Sequence, residues 1–439
     1  MRTICSSMVV LVLAFLSGCP RVRGEQKRGL DSADLASAHA MLHQAYLDVK
    51  KGYYDPAFHG VNLDESYRRY DALLNSSESV NAAFRVIAGF LGELQDSHTF
   101  FMPPQRTRWA TLDFTMSMIG DKCFVTRVRP GSDAQKKLHL GDQVLVVDAL
   151  PIRRSYFENF LYLVGVLSPM RYETLVVQAP DGGLRTETVM NTVHDGKALI
   201  DPARDGNDIW DQIRAHEDAQ HRDQGRTFEK GALLIWKIPG FFLDPESINL
   251  GFAKARKLKA LILDLRGDSG GRSDVLKAML SNVFDHPVIM ATRVSRQGSH
   301  VEIINPVASP FMGKMIVLID GGSASASEIF ARVIQLNHRG WVIGDRSAGA
   351  AMEAHYVRES VGTDERIFYG LSVTSAKLVM TDGSSIEGNG VLPDELTRPT
   401  AADLAAGSDP VLSRAAGLVG VDLAPEAAGK LVSFQWTSP

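Results

Sequence analysis

The stretch VLIDGGSASASEIF, Val317 to Phe330, decides how the rest of the chain is read. It closes a short apolar run, Met315 to Ile319, with the length and branching of a buried strand, stopped by Asp320, Gly321 and Gly322. Small residues follow from Ser323 to Ser327. Glu328 then opens an apolar-periodic segment through Ile329, Phe330, Val333 and Ile334. The pattern is strand, tight turn, helix. Glycine, serine and alanine also suit a plain helix start capped by Ser327 or Ser323. A serine hydroxyl at such a turn stands off the end of a sheet, beside the first free N–H groups of a helix. A nucleophile with donors for a developing oxyanion is what acyl transfer requires.

The full string S-A-S-A-S-E after a strand ending in D-G-G resembles the nucleophile motif of the carboxyl-terminal processing (tail-specific) proteases and of the related tricorn core protease. In that motif the middle serine attacks, and it falls here on Ser325. The resemblance implies a crotonase/ClpP-like α/β core and endopeptidase activity on unfolded chains or near carboxyl termini.

A serine hydroxyl needs a base. In the tail-specific branch that base is a lysine downstream of the serine, and the matching position here is Ala350, within Gly344-Asp345-Arg346-Ser347-Ala348-Gly349-Ala350-Ala351. The motif therefore excludes a Ser-Lys dyad unless Lys377 or another lysine arrives by a different route. The tricorn-like branch uses an upstream histidine preceded by a serine, and Ser97-His98 in D-S-H-T matches that pair. Imidazole suits a base at physiological pH, with an ordinary pKa of about 6.5. Twelve histidines occur in the chain, and motif context alone singles out His98.

The acid that fixes the imidazole tautomer is carried over in the same way. Ser384-Ser385-Ile386-Glu387-Gly388-Asn389-Gly390-Val391-Leu392-Pro393-Asp394 resembles a family segment whose glutamate completes the tricorn-like tetrad, here Glu387; Glu353 and Asp96 are the substitutes. The Ala326 N–H, directly after the nucleophile, is one expected oxyanion donor. Asp264-Leu265-Arg266-Gly267-Asp268-Ser269-Gly270-Gly271 looks like the family turn that supplies the other, from Gly270 or Gly271. Asp268 stands where the family pattern has asparagine. No metal spacing, phosphate loop or dinucleotide fingerprint competes for the site, and no cofactor is expected.

Around this core the 439 residues divide further. Leu35, Ala38, Leu42, Ala45 and Tyr46 fall at helical spacing behind Ser32 as a cap, and Leu63 to Leu74 and Val80 to Leu94 read as two more helices, making a helical domain over 30–108. Residues 109–195 alternate like short strands. Arg129-Pro130-Gly131-Ser132-Asp133-Ala134 followed by Gly141-Asp142-Gln143-Val144-Leu145 is similar to the PDZ fold, which takes a peptide carboxyl terminus as an added strand. The expected carboxylate loop, Phe114 to Met118, lacks the usual glycines. A polar stretch, 196–230, reads as a linker with a helix at Ile209 to His216. Residues 231–400 form the α/β core, with strands at Ala232 to Ile238, Ala260 to Leu265, Val288 to Val294 and Met315 to Ile319 in a mostly parallel sheet, and 401–439 read as a tail.

With 45% hydrophobic and 22% charged residues the chain reads as globular, and a net charge of −4 gives no footprint for nucleic acid. Arg2 and the apolar run Met8 to Leu16 have the build of an export signal within 1–24. Leu16-Ser17-Gly18-Cys19 resembles a bacterial lipoprotein signal, which implies lipidation at Cys19 and membrane anchoring in the cell envelope; the alternative is an ordinary secretory signal cut near Gly24. Three cysteines argue against a disulfide scaffold. The expected function is a serine peptidase of the envelope acting on peptide or protein substrates. A non-catalytic binder of peptides or apolar ligands on the same scaffold is the alternative, and the distance from His98 to Ser325 discriminates between the two.

Overall fold

The computed structural model describes residues 30–106, 108–195, 226–362 and 366–432. Cys19, the export signal and the helix expected at Ile209 to His216 lie outside the described residues.

Helices Ser32–Gly52, Leu63–Leu74 and Val80–Gly92 come first. Their starts follow from side chains that accept orphan backbone N–H groups: Asn62 for the second and Ser79 for the third. The first is capped by Asp31 and not by Ser32. The Asp31 carboxylate takes the N–H groups of Ala33 and Asp34 at 2.9 and 2.8 Å, which leaves Ser32 inside the first turn. Ala38, Met41, Leu42, Ala45 and Val49 share one buried face. They pack with Phe84, Ile87, Phe90 and Phe101, and with Tyr369, Leu371 and Val373 from the far end of the chain. The helical segment thus shares its core with a sheet that residues beyond 350 help to build.

That sheet has five strands. The long strand Ile367–Val379 pairs antiparallel with Phe100–Met102, Val288–Ser295 and Met352–Val361, and Gly298–Ile304 extends it. Val288–Ser295, expected in the parallel sheet, lies here. Its sequence turns polar at Thr292, Arg293 and Ser295, whereas strands buried on both faces read as unbroken apolar runs.

Residues 114–190 form an antiparallel sheet of Phe114–Ile119, Lys122–Val128, Gln143–Val147, Tyr172–Gln178 and Leu184–Met190, with Leu150–Pro151 beside the third. Ser132 caps the short helix Asp133–Lys137, and this unit has its own core around Phe114, Cys123, Val125, Leu175 and Val177. It is tied to the α/β core through the Asp345 carboxylate, which accepts from the Gly120 N–H at 2.7 Å and from Arg154 at 3.0 Å.

The α/β core is a six-stranded sheet in the order Arg226–Lys230, Leu233–Lys237, Ala260–Asp264, Lys314–Ile319, Trp341–Gly344, Glu395–Leu396. All neighbours after the first pair run parallel. Arg226–Lys230, expected as the end of the linker, forms an antiparallel hairpin with Leu233–Lys237 through the turn at Gly231. Helices Pro245–Ala255, Ser273–Ser281 and Ala326–Leu336 cover one face around Phe241, Phe252, Phe284 and Phe330. The other face is covered by the region expected to be a tail. Helices Pro410–Leu418 and Pro425–Leu431 lay Val411, Leu412, Ala415, Ala416 and Ala428 on Leu233, Ile235, Ile262, Ile316, Leu318 and Ile343. Exposing any one of those sheet residues would cost about 1.5–3 kcal/mol, so a parallel sheet cannot leave this face open to water.

Candidate active site

Ser325 sits where the parallel strand Lys314–Ile319 has ended and the helix Ala326–Leu336 begins, at φ 53° and ψ −116°. A non-glycine residue with positive φ costs energy and persists only where its surroundings over-determine it. Here the restraint is visible. The Ser325 N–H donates to Ala350 O at 2.7 Å and to Glu328 Oε2 at 3.1 Å. Glu328 is fully buried and gathers three more donors: Ser347 Oγ–H at 2.5 Å and the N–H groups of Gly349 and Ala350 at 2.7 and 2.8 Å. Burial pushes its carboxyl up to about 7 against those hydrogen bonds. Glu328 thus fastens the Ser325 turn to the loop 345–351. The spacing S-x-x-E of a capping box, Ser325 to Glu328, was the available signal for a role that the sequence reading left unassigned.

Four side chains from three distant segments line up at this turn. His98 Nε2 lies 3.4 Å from Ser325 Oγ, at the loose end of hydrogen-bond reach. His98 Nδ1 lies 2.7 Å from Ser97 Oγ, and Ser97 Oγ lies 2.9 Å from Glu387 Oε2. Glu387 also accepts the Ser97 N–H at 2.7 Å and the Ala351 N–H at 2.8 Å. A carboxylate accepts only, so the Ser97 O–H donates its hydrogen bond to Glu387 and the oxygen is left to accept from Nδ1–H. The tautomer that follows leaves Nε2 unprotonated and facing Ser325. Burial holds the His98 pKa below the usual imidazole value, against the nearby Asp96 carboxylate, while burial raises that of Glu387.

Asp96 does other work. Its Oδ1 accepts the N–H groups of His98 and Thr99 at 2.9 and 2.7 Å and the Thr374 hydroxyl at 2.6 Å, which pins the His98 turn to the long strand. Glu353 is elsewhere, paired with Arg293 at 2.8 and 3.0 Å. Lys377 lies in register with Val294 and Met352, and among the described residues no lysine reaches Ser325 Oγ.

The glycine turn closes the other side. A Cβ on Gly270 would lie 2.6 Å from Ser325 Cβ and 2.8 Å from Ala324 O, and φ is +99°. Only glycine allows that approach. The Gly270 N–H donates to Asp268 Oδ1 at 2.8 Å, so its hydrogen is committed. The Gly270 carbonyl accepts from the Phe241 N–H at 2.8 Å, which turns the next N–H, that of Gly271, the opposite way. Among the described residues neither the Gly271 nor the Ala326 N–H has an acceptor. Arg266 braces the same loop, with the Asp264 carboxylate at 2.9 and 2.7 Å and Asp409, before the helix Pro410–Leu418, at 2.9 and 2.7 Å. The two acids hold Arg266 charged, and they repay its burial. Among the described residues no cluster of His, Cys, Asp and Glu suits a metal ion.

The family description of Peptidase family S41 matches residues 236–397, from the end of the strand Leu233–Lys237 to just past the Glu387 loop, and that of the Tricorn protease C1 domain matches 35–92. Residues 236–397 are a peptidase family S41 domain. The chain is 27% identical to the tail-specific protease of Haemophilus influenzae over 321 residues, which is 68% of this chain but 43% of that protein's length. It is 23% identical over 413 residues to the carboxyl-terminal-processing protease of a Picosynechococcus species, covering 90% of this chain and 88% of the relative. Mature CPAF superposes with a TM-score of 0.65 at 18% identity over 85% of this chain and 95% of that one, a likeness of fold. By its S41 domain the chain is a serine peptidase.

Proposed function

We propose that the protein is a serine endopeptidase of the tricorn-like kind, with Ser325 as nucleophile and His98 as its base. Ser325 Oγ attacks the scissile carbonyl carbon while Nε2 takes its proton, and the imidazolium then returns that proton to the departing amine. Ser97 and Glu387 orient the ring and favour its charged form. The N–H groups of Ala326 and Gly271 receive the oxyanion, since the Gly270 N–H is spent on Asp268. The observation that carries this reading is the unbroken chain Glu387–Ser97–His98–Ser325, with links of 2.9, 2.7 and 3.4 Å.

The core takes a crotonase/ClpP-like form in this reading, and residues 109–195 act as a PDZ-like module for an extended peptide. The substrate is an unfolded protein or a carboxyl-terminal segment. The sequence at Leu16 to Cys19 supports export and attachment to a membrane by lipid at Cys19.

Purified protein should react with a fluorophosphonate probe and cleave labelled casein. Ser325→Ala should lose both, and His98→Ala should lose labelling by roughly 10³-fold or more. Cleavage that survives Ser325→Ala in a folded variant refutes the assignment.

A further inference from the structure

One departure from the family pattern has no place in the tetrad: Asp268, which occupies the asparagine position of the glycine turn. Its side chain is fully buried. Oδ1 takes a single donor, the Gly270 N–H at 2.8 Å, and Oδ2 has no partner among the described residues. Its backbone carbonyl accepts the Ala324 N–H at 2.9 Å and the Ser327 hydroxyl at 3.1 Å, on either side of the nucleophile. One residue therefore joins both walls of the oxyanion site. An asparagine could make the same bond to Gly270 and would never carry charge. The carboxyl group can.

We propose that Asp268 is a positioning residue of the oxyanion hole that works as a neutral carboxylic acid, and that its ionisation shuts the hole down. The proposal rests on the assignment of Ser325, Ala326 and Gly271 above. An ionised Asp268 would stand behind the Gly270–Gly271 peptide as a negative charge in a dry site, and it would repel the negative charge those N–H groups must receive.

The groups facing Asp268 can be named. The Gly270 N–H and the Ser327 hydroxyl favour the ionised form, and so does Lys237, on the strand Leu233–Lys237, although it is engaged with Asp264 at 3.3 Å and with the Arg266 carbonyl. Asp320, on the nucleophile turn, favours the neutral form. Arg266, on the same loop, is taken up by Asp264 and Asp409. Glu328, on the helix after the nucleophile, points its carboxylate to the loop 345–351. Burial dominates, and the Asp268 carboxyl is pushed up to about 7.

The signs follow directly. His98 must be neutral to accept a proton, so activity rises with pH through a midpoint below the ordinary 6.5 of imidazole. Asp268 must be protonated, so activity falls again as pH passes about 7. The enzyme is thereby confined to a mildly acidic window.

The test is the pH dependence of fluorophosphonate labelling and of casein cleavage, from pH 5 to 9, for wild type and Asp268→Asn. Wild type should lose about tenfold or more between neutrality and pH 9, and Asp268→Asn should keep its acid limb and lose the alkaline one. A wild type with no alkaline fall overturns the proposal, and so does an Asp268→Asn variant that retains it. Wild type unreactive at every pH overturns the Ser325 assignment instead, and this proposal with it. Should Asp268→Asn not fold, difference infrared spectroscopy of wild type decides. A buried protonated carboxyl that disappears with the midpoint of the alkaline limb supports the proposal, and the lack of one refutes it.

Discussion

Placing alanine at Gly270 tests how closely the glycine turn approaches Ser325. The added methyl would come within 2.6 Å of Ser325 Cβ and 2.8 Å of Ala324 O, where ordinary van der Waals contact begins near 3.4 Å, so the two walls must part by about 0.8 Å. The left-handed φ of +99° adds strain of about 1–3 kcal/mol. A shift of this size at a reacting group is expected to cost roughly 10²-fold in kcat/KM. Gly267 supplies the control on the same loop: φ is +68°, and nothing lies within 4 Å of its would-be Cβ. Gly267→Ala should therefore show the stability loss without the catalytic one. The assay is kcat/KM on a fluorogenic peptide selected from casein cleavage sites, with urea unfolding of each variant. If Gly270→Ala stays within about threefold of Gly267→Ala, the argument that Gly270 abuts the nucleophile is wrong.

Glu387→Gln should lower kcat by roughly 10²-fold or more, because the Ser97 hydroxyl loses the charged acceptor that sets the His98 tautomer. Ser97→Ala should do likewise, and the double variant should lie close to either single one, since the residues act as one unit; fully additive losses would contradict the chain. Arg266→Met should destabilise by about 3–5 kcal/mol in urea unfolding, since it leaves Asp264 with Lys237 alone and takes the Arg266 cation from Asp409; a loss under about 1 kcal/mol would mean that the Asp264–Arg266–Asp409 cluster braces nothing.

Much of the core was legible because burial on both faces leaves a mark. Leu233–Lys237, Ala260–Asp264 and Lys314–Ile319 read as continuous apolar runs ending at glycine turns, and those turns carry the site. Val288–Ser295 was drawn into the same sheet because a β-branched run does not name its partner strand. Its pairing with Ile367–Val379 is a tertiary fact. The last helices were missed for a different reason. Their buried faces rest on alanines such as Ala415, Ala416 and Ala428, whose weak hydrophobicity blurs the helical period, although Pro410 and Pro425 mark two starts.

Within the site, motif context singled out Ser97, His98, Ser325 and Glu387, but nothing in spacing can bring together side chains 227 and 290 positions apart. That a carboxylate oxygen takes up the Gly270 N–H, which favours Gly271 as the proposed donor, is a tertiary contact that no spacing in the sequence shows. Glu328 was passed over because a glutamate reads as a surface residue until its four donors are seen.

The grip of Asp409 on Arg266 carries a meaning for biosynthesis. The proton relay begins at residue 97, yet the turn facing it is clamped by a residue from the last helices, so a chain emerging from the ribosome carries every reactive group before it holds the brace. A chain truncated before residue 409 is therefore expected to present Ser325 on an unbraced turn and to react more slowly with a fluorophosphonate probe.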